Sequence, residues 1–116
     1  MSLTLHGIPN CDTVKKARKW LDDQGIAHDF RDYKNAPPTP AELADWSKQA
    51  GWDVLLNRAG TTFRKLPDDA KSGIDEAKAV ALMVEHPSMI KRPVVTGASA
   101  LLVGFKPDQW QAVLKA

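Results

Sequence analysis

Residues 3–21 read LTLHGIPNCDTVKKARKWL, and the change of periodicity within this stretch indicates the fold class. Apolar and polar residues first alternate, which predicts a short strand over residues 2–6 that ends at Gly7. From residue 12 onward apolar residues recur at helical spacing, with Gly25 as the expected end of the helix. Cys11 therefore lies between the carboxyl end of a strand and the start of a helix.

The rest of the chain extends this strand and helix into an α/β fold. Residues 26–33 are rich in strand formers and predict a second strand, parallel to the first across a right-handed crossover. The order βαβ, helices, ββα predicts a mixed four-stranded sheet in one domain, residues 1–116, with a helical insertion at about residues 38–90. The insertion is predicted to hold a helix over 39–51, an irregular or short helical solvent-exposed segment over 53–66, and a helix over 75–85, where Ala77, Val80, Ala81 and Val84 recur at helical spacing. After it we expect a hairpin of strands 93–96 and 100–105 around the turn 97–99, and a helix over 107–115.

Composition excludes several classes of function. The formal net charge is +2, from sixteen basic and fourteen acidic residues dispersed along the chain, so nucleic acid is not an expected partner. A single cysteine cannot form an internal disulfide, and the sequence shows neither a secretory signal nor an apolar run near the roughly 20 residues that span a bilayer. We expect a monomer in the reducing cytoplasm, without membrane contact.

Cys11 is the candidate nucleophile, because unpaired N–H groups and the dipole at a helix start stabilise a thiolate relative to a thiol. Asp12 would oppose this unless its carboxylate caps the helix, which is the expected arrangement, with Thr13 as the alternative cap. His6 could modulate the thiol as an acid or base, although strand alternation could equally direct it elsewhere. The alternative for Cys11 is a small, unreactive core residue.

Three arginines are candidates for binding an anion beside the thiolate, because a planar guanidinium matches an oxyanion or a carboxylate. They are Arg58, Arg64 and Arg92, and for each the alternative is a solvated surface charge. Arg92 precedes a proline that opens a strand, and that bond is a candidate for a cis peptide. Asn10 and Thr13 could donate hydrogen bonds at the same place, or serve only as turn and cap residues.

Other site classes find no support. Position 14 is valine, so no Cys-x-x-Cys motif is present and a dithiol cycle within this chain is excluded. The three histidines lack the spacing of zinc ligands, and residues 97–99 are too short for a phosphate-binding loop.

Four segments of the chain together form a specific pattern, although each one alone is weak. They are GIPNCDTVKKAR at 7–18, LNRAGTTFRKL at 56–66, HPSMIKRPV at 86–94 and LVGF at 102–105. They cover nearly the whole chain in order, and in this combination they resemble the ArsC/Spx family of arsenate-reductase-like proteins, and closely its YffB-like branch.

The resemblance implies a thioredoxin-like fold with a helical insertion, in which Cys11 is the nucleophile and Arg92 binds the anion. Arg58 is the nearest match to a second anion-binding arginine, with Arg64 as the alternative, and Lys106 aligns best with a third. In arsenate reductases of this kind the cysteine attacks arsenate, glutathione attacks the adduct and glutaredoxin completes the reduction. The resemblance thus implies glutathione as co-substrate, glutaredoxin as a partner and no tightly bound cofactor.

Three departures from the arsenate reductases favour a glutathione-linked thiol reductase over a dedicated arsenate reductase. Gly7 stands where they carry histidine, and Asp12 stands where they carry glycine. Lys106 stands where they carry an arginine, so it offers a point charge in place of a guanidinium that can form two hydrogen bonds. The main alternative is an Spx-like protein that contacts RNA polymerase without catalysis, although Val14 replaces the second cysteine of the best-known Spx switches. A further alternative is a relative of this fold whose cysteine is inert.

Overall fold

The computed structural model describes residues 3–115 and contains one mixed sheet. Its strands are β1 (Thr4–Gly7), β2 (Asp29–Asp32), β3 (Val94–Thr96) and β4 (Leu102–Val103), in the spatial order β2-β1-β3-β4. β1 pairs with β2 in parallel, whereas β3 is antiparallel to both β1 and β4. The predicted α/β fold with a mixed four-stranded sheet is confirmed.

The helices follow the predicted order, with two differences in detail. The segment 53–66 is not wholly exposed as expected, because Leu55, Leu56 and Phe63 are buried. The hairpin connection is longer than predicted, since β4 begins only at Leu102. Among the described residues, no helix is long and apolar enough to cross a membrane. The helices are α1 (Asp12–Asp23), α2 (Pro40–Ala50), α3 (Trp52–Leu55), α4 (Thr61–Arg64), α5 (Asp68–Lys71), α6 (Glu76–Glu85) and α7 (Pro107–Leu114), with a 3₁₀ turn at Pro87–Met89.

The chain divides into two compact units. Unit 1 comprises the described residues up to Ala36 and those from Arg92 onward, and unit 2 comprises Pro37–Lys91. The whole sheet, α1 and α7 belong to unit 1, whereas α2 to α6 belong to unit 2. The insertion predicted at about residues 38–90 falls within unit 2.

The core of unit 1 lies between α1, α7 and one face of the sheet. Val14, Ala17 and Leu21 of α1 recur at helical spacing and are fully buried, so α1 presents one apolar stripe to the sheet. Trp110 of α7 is also fully buried, and its indole N–H donates to the carbonyl of Gly104 over 3.0 Å. The cluster contains Leu3, Leu5, Val14, Ala17, Leu21, Val95, Leu102 and Trp110.

Unit 2 begins with a helix whose start is defined by its sequence. Thr39 caps α2: its hydroxyl accepts from the Glu42 N–H over 3.1 Å, and the Glu42 carboxylate accepts from the Thr39 N–H over 3.0 Å. Pro40 occupies the first turn, where its missing N–H costs nothing. The sequence Thr39-Pro40-Ala41-Glu42 thus holds the local signals that start this helix, namely a capping hydroxyl, a proline in the first turn and a glutamate three residues after the cap.

The helix predicted over 75–85 is confirmed as α6, but it does not bury the apolar residues whose spacing predicted it. The structure buries Ala79, Leu82 and Met83, whereas Ala77, Val80, Ala81 and Val84 lie on the outer side. Val84 is 37% exposed. The sequence EAKAVALMVE has apolar residues at helical spacing on both sides of the helix, so periodicity alone does not identify the side that packs.

Candidate active site

Cys11 occupies the N-cap position of α1. Its φ of −103° and ψ of 125° are extended, and its carbonyl accepts the first helical hydrogen bond, from the Lys15 N–H over 2.9 Å. Its own N–H donates to the Ile8 carbonyl over 3.3 Å, which closes the turn after β1. The thiol is half-buried against the core of unit 1 and accepts no capping hydrogen bond from the first turn of the helix. It is therefore held by a fixed backbone while part of its surface faces solvent.

The expectation that Asp12 or Thr13 caps α1 is wrong. The cap position belongs to Cys11, and Asp12 and Thr13 are the first two helical residues. The reason is that the first helical hydrogen bond already starts at the Cys11 carbonyl, so the two following residues have helical dihedral angles. Asp12 remains an exposed carboxylate in the first turn, where the helix dipole stabilises it.

Strand register brings Arg92 to the edge of the sheet that carries Cys11. β1 and β3 pair His6 with Val94, and one further step of this antiparallel register sets Pro93 opposite Gly7. The Arg92–Pro93 peptide bond is cis. Arg92, half-buried, therefore lies at the carboxyl end of β1, the end that continues into Cys11.

Lys106 reaches the same edge of the sheet from β4. The Gly104 N–H donates to the Pro93 carbonyl over 2.8 Å, so the carboxyl end of β4 lies beside the start of β3. Lys106 follows two residues later as the N-cap of α7 and is exposed. Arg92 and Lys106 thus follow or precede strands that meet at the end of the sheet from which β1 continues to Cys11.

Asn10 and Thr13 flank the thiol in the chain. Asn10 lies in the turn between β1 and α1, and Thr13 lies in the first turn of α1. Both are exposed, so both have polar groups available at the solvent side of this edge. Their role as donors to a bound anion stays a prediction.

Arg58 and Arg64 belong to unit 2, whereas Cys11 and Arg92 belong to unit 1. Both arginines are exposed. The Arg58 guanidinium carbon lies 5.8 Å from the centre of the Trp52 ring, and Arg64 ends α4. The anion-binding role of either arginine stays a prediction.

His6 is buried in the sheet. Its Nε2 is hydrogen-bonded to the Thr96 hydroxyl over 2.8 Å, which links β1 to β3 through their side chains. Because Leu5 packs in the core cluster against which Cys11 lies, strand alternation directs His6 to the opposite face of the sheet. Its proposed influence on the thiol stays a prediction.

An aromatic cluster beside Lys106 was not assigned to the site from the sequence. The ring of Phe105 packs edge to face on Trp110 at 5.0 Å and on Trp20 at 6.3 Å between centroids. This packing fixes the backbone immediately before Lys106, because Phe105 and Lys106 are neighbours in the chain. The signal in the sequence is an aromatic residue between Gly104 and the proline that opens the last helix.

The chain is similar to known proteins over nearly its whole length. A model of the ArsC family matches residues 6–113. The solved structure of a protein named YffB is 52% identical, covers 97% of this chain and 99% of its own, and superposes with a TM-score of 0.94. The solution structure of an arsenate reductase (ArsC) related protein from Brucella melitensis is also 52% identical, with coverage of 100% and 97% and a TM-score of 0.77.

A regulatory protein is also similar over nearly the same length. The global transcriptional regulator Spx of Streptococcus pneumoniae is 27% identical over 114 residues, which cover 97% of this chain and 85% of the regulator. The solved neighbours share the thioredoxin-like α/β fold, so the fold implied by the resemblance is confirmed.

Proposed function

The chain belongs to the ArsC family, and we propose that it is a cysteine-based oxidoreductase in which the Cys11 thiolate attacks an oxidised, anionic substrate. The observation that carries this proposal is the position of Cys11 at the start of α1, on the sheet edge where register also brings Arg92 and Lys106. A helix N-terminus and two cations favour negative charge, both on the thiolate and on a substrate beside it.

The reductant must come from outside the chain, because Cys11 is its only cysteine. We propose glutathione, with glutaredoxin as a further partner and with no tightly bound cofactor. A reducing cytoplasm would supply this thiol.

A glutathione mixed disulfide, R–S–S–G, is the simplest substrate for this chemistry. The Cys11 thiolate attacks the glutathione sulfur, the bond between the two sulfurs breaks, and the thiolate of R leaves and takes up a proton. A second glutathione, as thiolate, attacks the glutathione sulfur of the Cys11 adduct, which releases oxidised glutathione and restores the Cys11 thiolate. The net reaction converts the mixed disulfide and one glutathione into R–SH and oxidised glutathione.

The reduction of arsenate would involve the same residues but a different stoichiometry. Arsenate and two thiols give arsenite, water and one disulfide, so the two electrons come from the thiols. Arg92 would hold the oxyanion through its bidentate fork, and Lys106 would add a point charge. Asn10 and Thr13 would donate hydrogen bonds, and Arg58 or Arg64 would supply the second arginine that the family resemblance implies.

The test is a coupled assay in which glutathione reductase recycles oxidised glutathione and NADPH consumption is followed. The substrates are arsenate and the mixed disulfide of glutathione with 2-mercaptoethanol, each with and without glutaredoxin. We expect turnover of the mixed disulfide above turnover of arsenate, complete loss in Cys11→Ser, and normal rates in Ser99→Ala, which changes an exposed loop hydroxyl. Full activity in Cys11→Ser would refute the proposal.

A second candidate function is binding to RNA polymerase without catalysis, and the near full-length similarity to Spx supports it. Val14 argues against this candidate, because it stands where an internal redox switch would need its second cysteine. The valine is instead a fully buried core residue. Affinity capture of purified RNA polymerase by the intact chain tests this candidate. Retention by wild type and Cys11→Ser alike, together with no turnover in the coupled assay, would replace the enzyme with the regulator.

A further inference from the structure

The carboxylate that follows Cys11 in the chain takes no part in capping α1. Asp12 is the first residue of that helix and is exposed. Within residues 3–115, its carboxylate accepts no hydrogen bond and forms no ion pair. Neighbouring Cα atoms are about 3.8 Å apart, whereas charges interact over roughly 10 Å at 0.1 M salt. A substrate whose sulfur reaches the thiol therefore meets a negative charge beside it.

Positive charge reaches the same end of the sheet from other segments. Arg92 directly precedes Pro93 and β3, and Lys106 is the N-cap of α7. The thiol thus has a carboxylate on its own helix and cations on two separate elements. This arrangement is complementary to a zwitterion, a molecule that carries both an ammonium group and a carboxylate.

Two other carboxylates lie near this end of the sheet. Asp32 ends β2 opposite Gly7, but its carboxylate already accepts the Lys34 N–H over 2.9 Å. Asp108 lies in the first turn of α7, two residues after Lys106, so its neighbour in the chain is an ammonium group and not the thiol. Asp12 is therefore the carboxylate best placed to meet a cation on a substrate of Cys11.

Four further lysines neighbour these segments in the chain, so the field at this end is positive overall. Two of them, in the second turn of α1, oppose an ammonium group at Asp12. They are exposed and lie about one helical turn beyond the cap, so their repulsion acts over a longer distance through water than the attraction of Asp12. The four are Lys15, Lys16, Lys34 and Lys91.

We propose that Asp12 selects disulfides of cysteine itself: it receives their ammonium group while Arg92 and Lys106 receive their carboxylate. The inference rests on the proposed function and specifies the group R of its mixed disulfide. In free cysteine both charged groups are bonded to one carbon atom, next to the carbon that carries the sulfur, so both stay close to the reacting atom. An anion without an ammonium group meets Asp12 only as a repulsive charge.

The first chemical step is sufficient to test this selection. The Cys11 thiolate attacks one sulfur of a symmetric disulfide, and the bond between the two sulfurs breaks. One half stays on Cys11 as a mixed disulfide, and the other half leaves as a thiolate that takes up a proton. The intact protein gains the mass of one half, which mass spectrometry follows against time at pH 7 and low salt.

Four small disulfides separate the two charges. Cystine carries both groups, cystamine lacks the carboxylates, 3,3′-dithiodipropionate lacks the ammonium groups, and bis(2-hydroxyethyl) disulfide lacks both. Each rate is divided by the rate of the hydroxyethyl compound with the same variant, which cancels any change in the intrinsic reactivity of the thiol. Cystine and the hydroxyethyl compound both have no net charge, so their ratio reports local contacts and not the overall field.

We expect the cystine ratio to fall about three- to tenfold in Asp12→Asn and to stay near wild type in Asp12→Glu. The cystamine ratio should fall with it, whereas the dithiodipropionate ratio should rise. Arg92→Ala should lower the cystine and dithiodipropionate ratios and spare cystamine. Asp22→Asn removes an exposed carboxylate from the last turn of α1, about 15 Å along the helix, and is the matched control that keeps all wild-type ratios.

Two results would overturn the inference and leave the proposed function in place. One is a cystine ratio that Asp12→Asn leaves unchanged, because Asp12 would then act only through its charge on the helix dipole and the overall field. The other is an equal fall in Asp108→Asn, which would move the ammonium group to α7. A Cys11 that reacts with none of the four disulfides would instead refute the proposed function, and the inference with it.

Discussion

Gly104 donates its backbone N–H to the carbonyl oxygen of Pro93 over 2.8 Å, and this bond joins the two segments that carry the cations of the candidate site. Arg92 immediately precedes Pro93, and Lys106 follows Gly104 by two residues. Gly104 has a φ of +75°, a conformation that other residues adopt only at a cost. The geometry of the cations therefore depends on a glycine that contributes no side chain.

Replacing Gly104 tests this dependence, and Gly25 offers a matched control. Both have positive φ, +75° and +69°, and a Cβ added at either meets no atom within 4 Å. Each alanine variant should lose about 1 kcal/mol of unfolding free energy through backbone strain. Only Gly104→Ala should also slow the reaction of Cys11 with an anionic substrate. Urea unfolding and the coupled assay measure the two effects, and equal activity losses would show that strain alone is responsible.

Arg92→Ala should change the preference of Cys11 for charged reagents. Iodoacetate is an anion and iodoacetamide is neutral, so the ratio of their alkylation rates reports the positive field at the thiol. We expect this ratio to fall about three- to tenfold in Arg92→Ala at low salt, and the difference to shrink as salt rises. Lys115→Ala, at the far end of α7, removes one charge elsewhere and should leave the ratio unchanged. An unchanged ratio in Arg92→Ala would remove this residue from the site.

Gly7 should not tolerate a larger residue. A Cβ at this position would lie 2.8 Å from a γ-methyl of Val14, which is fully buried. Gly7→Ala should therefore cost about 1–3 kcal/mol of unfolding free energy. The double variant with Val14→Ala removes the clash, so its loss should be smaller than the sum of the two single losses. Additive losses would show that the contact is not the cause.

Thr39 should stabilise α2 through its hydroxyl. Thr39→Ala removes the hydrogen bond to the Glu42 N–H and should lower the free energy of unfolding by about 1 kcal/mol. Thr39→Ser keeps the hydroxyl and should stay close to wild type. Thermal unfolding of the two variants measures the difference. Equal losses in both would point to the lost methyl group, not to the cap.

Periodicity and turn residues were sufficient to predict the sheet and the main helices. The alternation that predicts the first strand, the capped start at Thr39 and the glycines that end strands and helices are local signals, and the structure follows them over the residues it describes; position 2 of the predicted strand lies outside these. The outer side of α6 could not be predicted, because both sides of that helix are apolar. The cap at Cys11 was also missed, since the sequence offered the better capping residue one position later.

Only part of the candidate site could be predicted from the sequence. The location of Cys11 between a strand and a helix is a local property, and it was predicted. The approach of Arg92 and Lys106 to the same edge depends on the register of β3 and β4, which joins residues far apart in the chain. Without strand register, only the family resemblance linked these residues to Cys11.

The order of elements along the chain has a consequence for biosynthesis. The His6–Thr96 contact joins residues 90 positions apart, and the whole of unit 2 is translated between them. Cys11 therefore emerges from the ribosome long before Arg92 and Lys106, and β1 gains its β3 neighbour only late in translation. A nascent chain stalled within unit 2 would carry a thiol without its cationic surroundings, so the chemistry of the finished site would be absent until β3 and β4 are made.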